Sequence, residues 1–354
     1  MKTGARIFIC HNHYLYRMIL VTGGTGLVGM HLLMLLAEKE EAVLAIYRNT
    51  EGIEKVKRLF EMQHKADSFH KIEWQQADIT DIPSLENVFS GISKVYHCAA
   101  MISFDQSDEG ILRKVNIEGT ANIVNFCLAK EVQKLCFVSS IAALGDVAVN
   151  ETVISEETEW NPEKYHSDYA ISKYGAEMEV WRGQQEGLET VIVNPGVIIG
   201  PFASKADWQN GSGRIFWEIS KGMKYYTKGA TGFVGVWDVA AIMHQLMESP
   251  IQSQRFALVS EIMSFEVLSK MIAHEIGVKA PTVYAKKWMT EWAWRIDGVL
   301  SFLFFKNRKL SKAAAKSLHA LEQYDNSKVR QALHFDFESI PAVINKTAVF
   351  FRKT

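Results

Sequence analysis

Tyr169 and Lys173 have side chains that could together perform acid–base chemistry. They lie four positions apart, so on a helix they share one face and the Lys173 ammonium can approach the Tyr169 phenol. A free phenol has a pKa of about 10 and exchanges protons poorly at neutral pH. A nearby positive charge favours the phenolate and brings that pKa toward the range in which acid–base catalysis is most effective. The spacing alone is equally typical of a solvated helix face, so the surrounding elements must decide.

A glycine-rich turn near the N-terminus predicts a dinucleotide site. The apolar run Met18–Val21 has the character of a strand, and a helical apolar pattern runs from His31 to Leu36. Between them lie Gly23, Gly26 and Gly29. Strand, turn and helix in this order bring backbone N–H groups and the positive end of the helix dipole to a pyrophosphate. The spacing Gly-x-x-Gly-x-x-Gly differs from the commonest fingerprint, and a purely structural turn is the alternative.

Short apolar runs alternate with helical patterns along the chain. Strands are predicted at Met18–Val21, Ala42–Tyr47, Ile72–Ala77, Ser93–Cys98, Lys134–Val138 and Glu189–Val193. Helices of this length between strands imply parallel crossover units. The sequence therefore predicts an α/β fold of the Rossmann type, with a doubly wound parallel sheet.

Polar and small residues follow several of these strands. Asp78 follows the third strand, where a carboxylate could accept a hydrogen bond from an adenine amino group; a helix cap or turn is the alternative. Ala99 and Ala100 follow the fourth strand, and Ser140 follows the fifth. Because ligands of such sheets bind at the carboxyl ends of the strands, we expect Ser140, Tyr169 and the glycine turn to share one rim.

Composition excludes several classes of protein. The 354 residues can form one large domain and a smaller one, and 48% hydrophobic with 22% charged residues is typical of a soluble globular protein. A net charge of −1 gives no electrostatic footprint for nucleic acid, and we expect no metal site. The four cysteines, Cys10, Cys98, Cys127 and Cys136, have no Cys-x-x-Cys spacing. They are therefore expected to be reduced thiols, which suits a cytoplasmic protein.

Residues 1–17 precede the first predicted strand. Their apolar core, Ile7–Cys10, is too short for a secretory signal, and Met18 stands where a start residue would. We predict that this segment is a dispensable extension.

The chain resembles the extended short-chain dehydrogenases/reductases, a superfamily that includes nucleotide-sugar epimerases, dihydroflavonol reductases and 3-beta-hydroxysteroid dehydrogenases. The resemblance covers Met18 to about Phe337, and its motifs are specific in combination. They are Thr22–Gly29, Asp78, His97–Ala100, Asn116 within Val115–Thr120, Ser139–Ser140, Tyr169–Lys173, Asn194–Gly196 and Gly200–Pro201. One departure is Cys98, where many relatives have Asn or Leu.

The resemblance implies a role for each catalytic candidate. Tyr169 would be the general acid/base, and Lys173 would lower its pKa and hold the nicotinamide ribose. Ser140 would hydrogen-bond the substrate oxygen; it is preferred over Ser139 because of its distance from the glycine matched by Gly145. Asn116 would support the active-site backbone and a water molecule.

The predicted contacts with a nicotinamide cofactor involve residues spread over the first two hundred positions. They are Gly23, Thr25, Gly26, Leu27, Val28, Gly29, Arg48, Asp78, Ile79, Ala99, Ala100, Tyr169, Lys173, Pro195 and Val197.

The end of the second predicted strand bears on the choice between NAD and NADP. An NAD enzyme places a carboxylate there to bind the ribose 2′-hydroxyl, whereas this strand is followed by Arg48 and Asn49, with no acid before Glu51. Arg48 could pair with a 2′-phosphate, which favours NADP; a surface arginine is the alternative, and NAD remains an option.

The resemblance also implies two domains. Residues 18–201, with 234–260, would bind the cofactor; 202–233 and 261–354 would form a substrate-binding cap and the C-terminal helices. The cap is rich in aromatic residues, namely Trp208, Phe216, Trp217, Tyr225, Tyr226, Trp288, Trp292, Trp294, Phe302, Phe304 and Phe305. Aromatic residues at helical spacing usually form a core, but this number suggests a pocket for an apolar or ring-bearing substrate.

One segment of the predicted cap, Trp294–Phe305, is apolar and precedes the basic residues Lys306, Arg308 and Lys309. It is too short to span a membrane. A wall or lid of the pocket is the favoured interpretation, and a helix on a membrane surface is the alternative.

Three functions remain. The favoured one is an NADP-dependent reductase or dehydrogenase that acts on a ketone or secondary alcohol. A nucleotide-sugar epimerase or dehydratase is the second, although Ile141 and Ala142 stand where dehydratases of that kind usually have acids beside the catalytic Ser or Thr. A non-catalytic dinucleotide sensor is the third, but such relatives tend to lose the Tyr or Lys. Members of the family often dimerise through the helix that carries the tyrosine, so a homodimer is an open expectation.

Overall fold

The computed structural model describes residues 18–147, 152–304 and 311–354. The predicted extension 1–17, with Cys10, lies outside these ranges, as does the segment 305–310 with its basic residues.

Strands and helices are numbered here in chain order. The strands are β1 Met18–Thr22, β2 Val43–Tyr47, β3 Ile72–Gln76, β4 Ile92–His97, β5 Lys134–Val138, β6 Val153–Ile154, β7 Glu189–Pro195, β8 Val197–Ile199, β9 Tyr225–Tyr226, β10 Ala230–Gly235, β11 Gln254–Leu258, β12 Glu261–Ser264, β13 Val283–Tyr284 and β14 Gln323–Tyr324. The α-helices are α1 Leu27–Glu38, α2 Thr50–Met62, α3 Ala66–Phe69, α4 Ile82–Glu86, α5 Glu109–Leu112, α6 Gly119–Ala129, α7 Asp168–Gln185, α8 Gly213–Ser220, α9 Val236–Glu248, α10 Phe265–Ile276, α11 Lys287–Phe304, α12 Lys312–Ser317, α13 Ser327–Leu333 and α14 Ile340–Phe351.

A seven-stranded parallel sheet forms the larger layer, in the order β11-β7-β5-β4-β1-β2-β3. The chain runs from β1 outward to β3, then returns to β4 on the other side of β1. This reversal opens a crevice at the carboxyl ends of β1 and β4, where a doubly wound sheet binds its ligand. The predicted Rossmann-type fold is confirmed, and each of the six predicted strands is present.

Helices cover both faces of the large sheet. Leu32 of α1 and Met243 of α9 belong to the apolar cluster on one face, and Val124 of α6 and Val180 of α7 belong to the cluster on the other. Strands buried on both sides need continuous apolar runs, which explains why the sequence shows such runs instead of alternation.

A smaller layer lies in the second half of the chain. It contains the three-stranded sheet β12-β10-β8 and helices α8, α10 and α14, around a core that includes Trp208, Phe216, Leu268 and Ile344. The segment α9–β11 returns to the large sheet, and α13 packs there too, since Val329 belongs to the same cluster as α9.

The three cysteines within the described ranges are free thiols: Cys127 and Cys136 are buried, and Cys98 is half-buried. None of the described helices is both long enough and apolar enough to cross a membrane.

Candidate active site

The predicted helix that carries Tyr169 and Lys173 is α7. The Ser167 side chain accepts a hydrogen bond from the Ala170 amide at 3.2 Å and caps its first turn. Lys173 is 2% exposed, with its side chain toward the sheet, and Tyr169 is half-buried at the carboxyl ends of the strands. Because α7 begins at Asp168, Tyr169 and Lys173 lie in its first two turns, at the crevice.

The Tyr169 phenol lies beside Ser140 and Phe104. The Ser140 side chain is close enough to act on the pKa of Tyr169, and the Tyr169 ring centroid is 5.7 Å from that of Phe104. Burial raises the pKa of Tyr169, and the neighbouring Ser140 hydroxyl opposes that rise. The sequence predicts a lowered pKa, so the direction differs from the expectation. The physical reason is that burial penalises the phenolate more strongly than its neighbours support it.

Lys173 is engaged with the main chain. Its Nζ donates a hydrogen bond to the Val138 carbonyl oxygen at 2.8 Å and lies 4.5 Å from the centroid of the Phe137 ring. Burial lowers the pKa of Lys173 to about 8, against the attraction of Glu177. An ammonium has three N–H donors, so two remain for other acceptors at the crevice.

Ser140 is held by its neighbours from two sides. Its Oγ accepts a hydrogen bond from the Ala142 amide at 3.2 Å, and its carbonyl oxygen accepts one from Asn194 Nδ2 at 2.9 Å. Ser139 is buried instead, and its side chain acts on the pKa of Glu177. Of the two serines, Ser140 is therefore the one beside Tyr169.

Asn116 lies in a π-helical turn, Arg113–Glu118, between α5 and α6. Its side chain donates from Nδ2 to the Met101 carbonyl oxygen at 2.9 Å and to Ser172 Oγ at 2.8 Å, and its Oδ1 accepts from the Met101 amide at 2.7 Å. Such widened turns are frequent at functional sites. Asn116 thus ties the loop after β4 to the helix of Tyr169.

A buried chain of hydrogen bonds joins the glycine turn to the same region. His97 Nδ1 is 2.6 Å from Thr22 Oγ1, and His97 Nε2 is 3.0 Å from Thr120 Oγ1. Thr120 Oγ1 then donates to the Asn116 carbonyl oxygen at 2.6 Å. Burial lowers the pKa of His97 to about 3, so this imidazole is neutral. The ends of β1 and β4 are consequently fixed relative to Asn116.

The glycine turn has the shape that a dinucleotide requires. A Cβ on Gly29 would lie 2.2 Å from the Gly23 carbonyl oxygen, and one on Gly23 (φ +66°) would lie 2.5 Å from the Ala99 amide nitrogen. Gly26 is exposed, and no side chain of the described residues caps α1 at this residue. The first N–H groups of α1 have no acceptor within the helix. These residues fit a pyrophosphate group.

The other predicted cofactor residues lie along the same edge of the sheet. Thr25, Leu27 and Val28 belong to the glycine turn and the start of α1, Ala99 and Ala100 to the segment after β4, and Pro195 and Val197 to the junction of β7 and β8. Arg48 is exposed directly after β2. Ile79 is buried, and its side chain packs against Gly119.

Asp78 serves a local turn. Its Oδ1 accepts hydrogen bonds from the Thr80 amide and the Thr80 hydroxyl, both at 2.8 Å. The turn interpretation of this aspartate is therefore visible in the structure, and an adenine contact would have to use Oδ2.

Three residues at the site escape the sequence analysis. Phe104 lies in an irregular loop, where no periodicity marks it. Glu177 is buried one turn after Lys173, and Arg255 contacts it from β11. The spacing Lys173-x-x-x-Glu177 is the one signal that could have pointed to this acid.

The aromatic residues of the predicted cap lie in different environments. Trp208 and Phe216 are 1% and 2% exposed and pack against Phe351 within the small core. Trp288 and Trp292 are each 63% exposed on α11. The sequence cannot distinguish these cases, because helical spacing fixes which residues share a face but not what that face contacts. Phe305, another of the predicted aromatic residues of the cap, lies outside the described residues.

This fold and site define a class: the chain is an NAD(P)-dependent enzyme of the extended short-chain dehydrogenase/reductase type. The model of the NAD dependent epimerase/dehydratase family matches residues 19–256, and the chain belongs to that family. The resemblance inferred from the motifs is confirmed.

The chain is similar over nearly its whole length to two relatives. It is 25% identical over 339 residues to sterol demethylase protein B of Methylococcus capsulatus, which covers 94% of this chain and 98% of that protein. It is 27% identical over 339 residues to a putative dihydroflavonol 4-reductase of Synechocystis, covering 94% of each. The crystal structure of Gre2 from Candida albicans in complex with NADPH has a TM-score of 0.73 at 20% identity, over 96% of this chain and 100% of that one, which shows that the folds are alike.

Proposed function

We propose that the protein is an NADP-dependent reductase or dehydrogenase that acts on a ketone or secondary alcohol. The observation that carries the proposal is the placement of the Tyr169 phenol beside the Ser140 side chain and the buried Lys173, at the end of the sheet that holds the glycine turn. A phenol and a hydroxyl that meet there can both hydrogen-bond one substrate oxygen.

The bound nicotinamide would supply or accept the hydride at the carbonyl carbon. In reduction, Tyr169 donates its phenolic proton to the substrate oxygen as that oxygen gains charge, and in oxidation it takes the proton back. Ser140 holds the oxygen in place. Lys173, with N–H donors beyond the one used on Val138, holds the ribose hydroxyls and supports the phenolate that forms.

Arg48 supports the choice of NADP. It is exposed directly after β2, and the next residue, Asn49, accepts a hydrogen bond from the Gly52 amide at 3.2 Å as the cap of α2. Arg48 and Asn49, the described residues between β2 and α2, include no carboxylate that could bind a ribose 2′-hydroxyl, and a guanidinium can bind a 2′-phosphate through paired hydrogen bonds.

The side chains around Tyr169 support an apolar or ring-bearing substrate. Phe104 and Ile102 are 51% and 57% exposed in the loop after β4, and the Phe104 ring lies against the Tyr169 ring. Two relatives carry the names of a sterol demethylase component and a dihydroflavonol reductase, whose named substrates are polycyclic. The larger layer would bind the cofactor, and the smaller layer would close over the substrate.

The second candidate function is that of a nucleotide-sugar epimerase, which the family also includes. Ile141 and Ala142 follow Ser140 and provide no acid beside it, which disfavours the dehydratase form.

We also propose that the protein is cytoplasmic and forms a homodimer. The dimer would bury the outer face of α7, because Met178 is 39% exposed there. Light scattering on the purified protein tests the dimer.

A substrate panel tests the main proposal. Aldehydes, ketones, steroids, flavonoids and nucleotide sugars are each incubated with NADPH, and cofactor absorbance is followed for the wild type, Tyr169→Phe and Tyr174→Phe. Tyr174 belongs to the same helix, but its ring stacks on Trp160, so Tyr174→Phe serves as the matched control. We expect Tyr169→Phe to lose about 10²–10⁴-fold in kcat and the control to keep its activity. Unchanged turnover in Tyr169→Phe would overturn the mechanism. Epimerisation leaves no net change in cofactor absorbance, so the sugar products are also analysed directly, and conversion of nucleotide sugars alone would favour the epimerase.

A further inference from the structure

Glu177 is a fully buried acid one helical turn after Lys173. Its Oε1 accepts a hydrogen bond from Asn194 Nδ2 at 2.5 Å, and its Oε2 accepts one from Arg255 Nη1 at 3.2 Å. Burial raises the pKa of Glu177, and its contacts with Ser139, Arg255 and Asn194 oppose that rise. Because each carboxylate oxygen faces an N–H donor, the ionised form is the one this site accommodates.

Arg255 cannot swing away from this acid. Its Nε and Nη2 donate to the Glu156 carbonyl oxygen at 2.9 and 2.6 Å, and Nη2 also reaches the Thr158 carbonyl oxygen at 3.3 Å. The Glu156 side chain in turn accepts from the Ala257 amide at 2.7 Å, which fixes this segment on β11. The guanidinium is therefore a fixed cation beside Glu177.

The amide of Asn194 connects Glu177 to the predicted catalytic serine. Asn194 Nδ2 donates both to Glu177 Oε1 and to the Ser140 carbonyl oxygen, the latter at 2.9 Å. A shift of the carboxylate would thus be transmitted to the main chain of Ser140.

The other titratable groups around Lys173 are neutral. From β4 and the segment after it, His97 is neutral because burial lowers its pKa to about 3, and Cys98 is a thiol because burial raises its pKa to about 12. On α7 itself, burial keeps Tyr169 a phenol. Glu177, with Arg255 behind it, is the anion among the described groups that act on Lys173. A buried ammonium without such a partner tends to lose its proton.

We propose that Glu177 is a positioning residue of the acid–base site: held by Arg255 and Asn194, it keeps Lys173 cationic and fixes the main chain of Ser140. This inference rests on the proposed function, in which Lys173 holds the cofactor ribose. The buried ion pair of Glu177 on α7 and Arg255 on β11 would then control the protonation state of Lys173, whereas a merely structural pair would affect folding alone.

Three variants test this inference through cofactor binding. NADPH affinity is measured by quenching of tryptophan fluorescence across a range of pH for Glu177→Gln, Glu177→Asp and Glu179→Gln. Glu179, also on α7, contacts Arg182 near the surface and is the matched control. We expect the wild type to lose affinity as Lys173 deprotonates, and Glu177→Gln to do so at a pH lower by about one unit. Glu177→Asp keeps the charge and should stay near the wild type, as should Glu179→Gln.

The outcomes separate this inference from the proposed function. NADPH binding requires no substrate, so a protein that binds NADPH but reduces no ketone contradicts the proposed function and leaves this test intact. A Glu177→Gln protein that folds and shows an unmoved pH dependence overturns the inference. The inference is also overturned if Glu177→Gln fails to fold and the folded Glu177→Asp protein loses NADPH affinity at a lower pH than the wild type. The negative charge at position 177 would then not control the protonation of Lys173.

Discussion

The side-chain amide of Asn116 and the main chain of Met101 form two mutual hydrogen bonds, at 2.7 and 2.9 Å. This pairing imitates the one that a neighbouring strand would make, although Met101 belongs to no strand. It fixes the start of the loop that carries Phe104 against Tyr169. Through Ser172, the same amide also touches the helix of Tyr169.

Replacement of Asn116 by Ala should therefore weaken both the fold and the catalysis. The change leaves the Met101 amide and carbonyl without their partners, which costs about 1–3 kcal/mol for each group that stays buried. Loss of the loop position should lower kcat by about 10²-fold. Urea unfolding and steady-state kinetics measure the two effects. Asn125→Ala, which removes a surface contact with Arg182, is the control and should change neither. Full kcat in Asn116→Ala would show that the loop is positioned by other contacts.

Gly29 offers a test of the cofactor site. A Cβ at this position would meet the Gly23 carbonyl oxygen at 2.2 Å, so Gly29→Ala must displace the glycine turn from α1. We expect NADPH binding to weaken by at least about tenfold and the fold to lose about 1–3 kcal/mol. Gly110→Ala is the control, because a Cβ there meets no atom within 4 Å and alanine favours the helix α5. Equal NADPH affinity in both variants would contradict the assignment of the turn.

The large sheet is predictable from sequence because each strand is an apolar run that the helices bury on both faces. The shared position of the glycine turn, Ser140 and Tyr169 is predictable as well, because ligands of a doubly wound sheet bind at the carboxyl ends of its strands. Local chemistry therefore suffices wherever the site depends on residues close to one strand end.

The other features of the site depend on contacts between distant residues, which no local sequence pattern predicts. Glu177 and Arg255 are 78 positions apart and meet because β11 pairs with β7. The rise in the pKa of Tyr169 depends on how much water the assembled crevice excludes, which residue types do not reveal. Trp208 and Trp292 both belong to the aromatic set of the predicted cap, yet one is in a core and the other is exposed.

The cofactor preference should change when Arg48 is replaced. Hydrogen bonds to a charged group contribute about 1.5–3 kcal/mol, so Arg48→Gln should weaken NADPH binding roughly ten- to hundredfold. Binding of NADH, which lacks the 2′-phosphate, should stay unchanged. Fluorescence titration with both cofactors measures the ratio, and Arg58→Gln on the exposed side of α2 is the control. An equal loss for NADPH and NADH would refute a role for Arg48 in phosphate binding.

His97 makes the stability of the protein dependent on pH. Its pKa falls from the usual 6.5 to about 3 in the fold, because the ring is buried between Thr22 and Thr120. As the pH drops below 6.5, the unfolded chain binds a proton at this position and the folded chain does not, so the free energy of unfolding decreases. The loss approaches about 1.4 kcal/mol per pH unit until the pH nears the folded pKa.

Urea unfolding at several pH values between neutrality and about pH 5 measures this slope, in which buried carboxylates and His31 also take part. His97→Asn should be less stable at neutral pH, because it loses hydrogen bonds, but its slope should be shallower by about one proton. His274→Asn removes an imidazole whose side chain is 86% exposed and should retain the wild-type slope. If both variants keep the wild-type slope, His97 is protonated in the folded protein at mildly acidic pH. The hydrogen bonds of His97 with Thr22 and Thr120 must then be made by an imidazolium.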